Sequence, residues 1–177
     1  MRLFRPARPA PTAWNITKTV LYLFVSWFVL LFVLPIGISI IEVELGIQRF
    51  PGLQLSAAFL LLVFTIVGLW AAVTLAASGH GTPAPFDAAR ELVTQGPYSY
   101  VRNPLVAALT GQGIAIGLAL GSIPVLLYVI TAFVVWHFAL RPAEERDLEE
   151  RFGDRWRNYR KAVRGFRPRL TPYRPVR

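Results

Sequence analysis

Four apolar stretches dominate this chain, and they constrain its fold more than any other feature. The first runs from about Lys18 to Ile41, the second from about Leu53 to Ala77 without a single charge, and the fourth from about Ile123 to Leu140. The third begins after Pro104 (LVAALTGQGIAIGLAL) and is short and rich in small residues. A bilayer core is crossed by roughly 20 apolar residues in a helix. The pattern predicts an all-α polytopic membrane protein with about four transmembrane helices. Only Gly121 and Ser122 separate the third stretch from the fourth, so these two must form an antiparallel hairpin. The first stretch is longer than the roughly 7–15 residue core of a secretory signal and lacks an A-x-A-like cleavage site, so it reads as an anchor. Pro35 is expected to kink it.

Orientation follows from Lys and Arg. Arg2, Arg5 and Arg8 precede the first stretch, and eleven arginines and Lys161 follow the fourth. Both termini are therefore expected in the cytoplasm, together with the middle loop 78–104. The expected organisation is one membrane domain, 1–177. It comprises a basic tail (1–17), a transmembrane bundle (18–140) and a cytoplasmic tail (141–177) with an amphipathic helix. Asn15-Ile16-Thr17 matches a glycosylation sequon but falls on the cytoplasmic side.

Composition narrows the chemistry. The net charge is +9, but 54% of residues are apolar and only 16% charged, so anionic membrane lipids rather than nucleic acid are the expected partner. The absence of cysteine excludes disulfides and a catalytic thiol, and two histidines make a self-contained metal site improbable.

Three polar segments meet on the cytoplasmic side, where polar groups between spans are functional candidates. The first is SGHGTPAPFDAARELVTQGPYSYVRNP, 78–104. Gly79, His80 and Gly81 end the second span, and Asp87 is expected to cap a short helix through Val93. Tyr98, Tyr100 and Arg102 alternate, and Asn103-Pro104 opens the third span as N-cap and first helical residue. The second segment is HFALRPAEERDLEERFG, in which Pro142 reads as the first residue of a new helix, with Glu144 and Glu145 in its first turn. His137 precedes Glu144 by seven residues, and both lie on one face if the kink is mild. In the third, the tail, Leu148, Phe152, Tyr159 and Val163 form one stripe, as in a helix lying on a membrane surface. Gly113, Gly117 and Gly121 form a smooth stripe for close helix approach.

The ordered set GHGTPAPF (79–86), LVTQGPYSYVRNP (92–104), a two-span hairpin, EERDL (144–148) and RFGDRWRNYRKAV (151–163) resembles the isoprenylcysteine carboxyl methyltransferase and phospholipid methyltransferase superfamily. The resemblance covers about the C-terminal two-thirds of the chain. It implies a methyltransferase using S-adenosyl-L-methionine, with the cofactor in a cytoplasm-facing pocket made by the last helices and the tail. By that resemblance Gly79, His80, Gly81, Tyr98, Arg102, Asn103, Glu144 and Glu145 are the expected cofactor-binding residues. Asn103 stands where many members have His, and Trp156 where Tyr is usual. The implied acceptor is a lipid or lipophilic molecule, either a prenylcysteine-type carboxylate or a phospholipid amine. Arg102 or Arg141 would hold a carboxylate; an amine needs a base such as His80, His137 or a glutamate. The expected location is a bacterial inner membrane. The alternatives are a non-enzymatic protein binding anionic lipid through its basic tail and, with weaker support, an NADPH-dependent sterol-type reductase.

Overall fold

The structure, a computed structural model, describes residues 4–175. It is all-helical. Three long apolar helices, α1 (Thr12–Glu44), α2 (Gln54–Gly79) and α4 (Ile123–Phe152), could each cross a bilayer, and α3 (Pro104–Leu120) is a shorter apolar helix. The length and apolarity of these helices make this an integral membrane protein. A last helix, α5 (Asp154–Ala162), follows α4 after Gly153.

The bundle is built with small residues inside and large ones outside. On α2, Ala57, Gly68, Ala71, Ala72 and Ala76 are buried, whereas Phe59, Leu62 and Ile66 are exposed. In lipid there is no hydrophobic drive to hide large side chains, and small ones let backbones approach. Gly111 of α3 faces Phe64 of α2, where an added Cβ would sit 2.3 Å from the ring. About half a turn on, Gly113 faces Val129 of α4, and one turn after it Gly117 faces Leu126. The smooth stripe expected from sequence is thus the seam of the α3–α4 hairpin. Gly121 closes it with φ +62°, and the Ser122 side chain caps α4 by accepting from Val125 N at 3.1 Å. Between α2 and α3, Gln112 donates to the Thr65 hydroxyl at 3.0 Å.

Pro35, expected to kink its helix, and Pro142, expected to begin a new one, both lie within continuous helices. A widened π turn covers Phe28–Val33 before Pro35, and another covers Trp136–Leu140 before Pro142. Proline lacks an N–H and its ring crowds the preceding turn, so opening that turn lets the helix continue. In a π turn the Leu30 carbonyl would look to residue 35 for a donor, and Pro35 offers none. It accepts from the Tyr128 hydroxyl of α4 at 3.1 Å instead. Pro142 therefore does not start a separate helix. The extra residue in its π turn also shifts the helical phase, which separates His137 from Glu144.

The short helix expected from Asp87 to Val93 does not form. Only a 3₁₀ turn, Pro85–Asp87, is present. The Asp87 carboxylate is drawn to Lys18 of α1 at 2.6 Å. Ala88 is held in an extended pairing with the N-terminal segment, where Ala88 N donates to Arg5 O at 2.9 Å and Ala7 N to Ala88 O at 2.9 Å. Asn15 of the sequon is fully buried in α1.

Candidate active site

Beyond the apolar ends of the helices, three segments converge on residues 98–103. The turn Gly96–Ser99 carries Tyr98 inward, where it packs on Ala71 and Val93. The tail after α5 runs beside this turn: Arg102 N donates to Arg164 O at 3.1 Å, and Tyr173 N to Ser99 O at 2.9 Å. The buried Tyr159 hydroxyl donates to Tyr98 O at 2.7 Å. The stripe Leu148, Phe152, Tyr159 and Val163 is therefore covered by protein: Trp156, Tyr159 and Val163 are buried against Leu92, Leu148, Phe152 and Tyr173. This corrects the expectation that the stripe lies on a membrane surface. The tail builds a wall of the site with it.

Two cavities meet at this point. The larger, about 300 Å³, is walled mainly by apolar side chains of α1, α3 and α4, including Leu23, Trp27, Leu30, Leu109 and Trp136. The smaller, about 110 Å³, is more polar and reaches Glu91, Asp147, Arg151, Trp156 and Tyr159. Tyr98, Arg102, Asn103 and Glu144 line both. Phe4, from the N-terminal segment that pairs with Ala88, also borders both cavities.

The two adjacent glutamates part company here. Glu145 accepts from Arg102 and from Arg141, each at 2.9 Å, and lies 3.5 Å from Arg160. Glu144 forms no ion pair among the described residues. It sits in the charged stretch of α4, past the apolar part of that helix. Burial, reinforced by Glu145 and Asp147, pushes its carboxyl up to about 7. Burial also raises the Tyr98 phenol well above its ordinary range, with Tyr159 and Glu144 adding to the shift, so it stays protonated.

Of the other residues singled out in the sequence, His137, Arg141 and Glu145 line a separate open cleft on the far side of α4. His137 Nδ1 is 3.3 Å from Arg141 and packs among Phe133, Trp136 and Phe138. Gly79, His80 and Gly81 border neither main cavity; they form the turn after α2, with His80 in the left-handed region at φ 53°. Gly79 packs against Ala89 and Val93, and Gly81 against the Ala88 backbone, so both let the loop 82–93 fold back on the helix end. Asn103 precedes α3 as expected but makes no side-chain cap bond.

Sequence reasoning missed the N-terminal segment and Trp156. The former is held through backbone bonds, which leave no side-chain signature. The latter stood out only as a departure from the usual Tyr, and nothing local showed that it would be buried beside the site.

A family model described as phospholipid methyltransferase matches residues 53–155, more than half of the chain. The chain belongs to the phospholipid methyltransferase family. That family lies within the membrane methyltransferase superfamily it resembles, and membership points to S-adenosylmethionine as methyl donor and a lipid-type acceptor. The match takes in Tyr98, Arg102, Asn103 and Glu144 but not α1 or the tail beyond Arg155. No curated protein matches the sequence significantly.

Proposed function

We propose that this phospholipid methyltransferase-family chain transfers a methyl group from S-adenosylmethionine to the amine headgroup of a lipid at the cytoplasmic face of the membrane. The observation that carries the reading is the shared wall: Tyr98, Arg102, Asn103 and Glu144 border an apolar cavity and a polar one at once. A lipophilic acceptor suits the first, and a charged, water-soluble cofactor the second.

The residues fit the cofactor. Arg102 Nε, Asn103 Nδ2 and Trp156 Nε1 are buried and lack a hydrogen-bond partner among the described residues. Buried donors left unsatisfied are costly, and a polar ligand relieves that cost. Bound there, S-adenosylmethionine supplies an electrophilic methyl group, and the protein's share is orientation and exclusion of water.

The acceptor follows from where the charges are committed. A carboxylate acceptor needs an uncommitted cation beside the junction. Arg102 and Arg141 each pair with the Glu145 carboxylate, so neither brings an unmatched positive charge to the junction, although Arg102 Nε keeps a free N–H. A carboxylate would instead meet Glu144. An ammonium headgroup finds a counter-ion there, and a carboxyl titrating near 7 is suited to take its proton and free the nitrogen lone pair. Glu144 is thus our base, with Tyr98 and Asn103 as hydrogen-bonding neighbours and Arg102 as an anchor held by Glu145.

We read the chain as one membrane domain. All four apolar helices cross, α3 as the shorter arm of the hairpin, and both termini and loop 82–103 lie on the cytoplasmic side. The exposed basic face of α5, with Arg155, Arg157 and Lys161, lies toward anionic headgroups. The test is binding and turnover. The purified protein should bind S-adenosylhomocysteine saturably and methylate an amine lipid. Salt-sensitive binding to anionic vesicles with no cofactor binding would favour the non-enzymatic alternative.

A further inference from the structure

The open cleft on the far side of α4 belongs to neither main cavity. It measures about 540 Å³ and lies where the apolar stretch of α4 gives way to charge, with Phe138 at one end and Arg141, Arg146 and Arg160 beyond it. Along the apolar stretch, Leu127, Ile130, Val134 and Phe138 are all exposed, Phe138 at 75%. Their spacing of three or four residues sets them on one face of the helix. Phe138 belongs both to this stripe and to the wall of the cleft, so the cleft continues the face that α4 turns toward lipid.

The charges in the cleft do not balance. Its carboxylates are Glu145 and Glu149. Glu145 accepts from Arg141 and from Arg102, which stands outside the cleft, and lies 3.5 Å from Arg160. Glu149 lies 3.6 Å from Arg160 and 3.4 Å from Arg157, again outside the cleft. Arg146 is exposed and pairs with no carboxylate among the described residues; its Nε donates to Pro142 O at 3.1 Å. Three arginines thus outnumber two carboxylates that also serve arginines elsewhere. Guanidinium groups match phosphate oxygens through paired hydrogen bonds. An ammonium needs a free carboxylate, and both of these are already paired. The surplus therefore favours a headgroup of net negative charge over a zwitterionic one. The apolar stripe that runs into the cleft supplies the place for a hydrocarbon chain.

We propose that this cleft docks an anionic phospholipid, with its phosphate among Arg141, Arg146 and Arg160 and an acyl chain along the exposed stripe of α4. It is a second lipid site, separate from the acceptor. The amine lipid belongs beside Glu144 in the main cavities, whereas the cleft selects a lipid that is not methylated. Arg141 and Arg146 come from α4 and Arg160 from α5, so a phosphate held by all three bridges the two helices. The proposal goes beyond the methyltransferase reading and does not depend on it.

The test is native mass spectrometry of the full-length protein in detergent, titrated with phosphatidylglycerol, with phosphatidylcholine of the same chains, and with glycerol phosphate, which carries the phosphate without the chains. Wild type should hold one phosphatidylglycerol at least roughly tenfold more tightly than phosphatidylcholine, the scale of charge-assisted hydrogen bonds. Arg146→Gln should remove most of that preference. Arg90→Gln should leave it in place, because Arg90 is an exposed arginine that borders none of the three cavities. Equal affinity of the wild type for the two lipids overturns the proposal. Equal losses in Arg146→Gln and Arg90→Gln overturn it too, since the attraction is then a property of overall charge. Glycerol phosphate bound as tightly as phosphatidylglycerol also overturns it, by making the cleft a site for free phosphate. The wild-type comparisons need no variant, and none of these outcomes bears on cofactor binding or methyl transfer.

Discussion

Glu144 and Glu145 are consecutive, yet Arg102, Arg141 and Arg160 gather around one and the other opens onto the cavities. If Glu144 is the base, kcat/KM should rise with pH through about 7, because its carboxylate form accumulates there. Glu144→Gln should flatten that limb and lower the rate by roughly 100-fold or more, within the usual scale of general-base removal. A pH–rate profile of both proteins checks this. The stability sign is opposite. The folded state holds the Glu144 proton more tightly than the unfolded chain does, so its contribution is present at low pH and lost as pH rises through about 7. Glu144→Gln should therefore melt higher than wild type at pH 8, with the difference fading toward pH 5. Tyr159→Phe removes the only hydroxyl donating to the Tyr98 carbonyl among the described residues. A loss of about 1–2 kcal/mol is expected in chemical unfolding.

At the scale of elements, α3 is held by surfaces that tolerate no added atom. Gly111→Ala would drive a Cβ into the Phe64 ring and should cost about 1–3 kcal/mol, the usual range for overpacking. Thermal unfolding should show that loss, with partial recovery when Phe64→Leu is added. The N-terminal segment is the opposite case, a light strap held to residues 85–88 by three backbone bonds. Deleting residues 1–10 should leave helical content unchanged and weaken cofactor binding, because Phe4 is lost from both cavities. Circular dichroism and calorimetry together check this. The apolar helices and the Gly121-Ser122 hairpin were legible in the sequence, because length and turn chemistry speak locally. The Glu144–Tyr98–Arg102–Asn103 cluster was legible as a set of polar residues at one end of the bundle. What could not be read was which side of each element they faced. That was decided by the π turn before Pro142, which moves His137 off the Glu144 side. The loop after Asp87 was misread as a helix because its backbone partners, Arg5 and Ala7, lie some eighty residues earlier.

For the molecule as a whole, the account requires the polar junction, loop 82–103 and both termini on one side of the bilayer. The chain has no cysteine, so single introduced cysteines report sidedness without background. Glu91→Cys and Arg174→Cys should react with an impermeant reagent applied from the cytoplasmic side, and Ile47→Cys only from the other. The arrangement brings an apolar cavity and a more polar one together at Tyr98, Arg102, Asn103 and Glu144, a layout suited to joining a lipophilic acceptor to a soluble cofactor. The most direct test of that claim is methyl transfer from labelled S-adenosylmethionine to phosphatidylethanolamine in vesicles containing the purified protein. The account predicts label in the amine headgroup, with transfer strongly reduced by Glu144→Gln. Label that appears equally well with Glu144→Gln, or saturable cofactor binding with no transfer to any amine lipid, would contradict it.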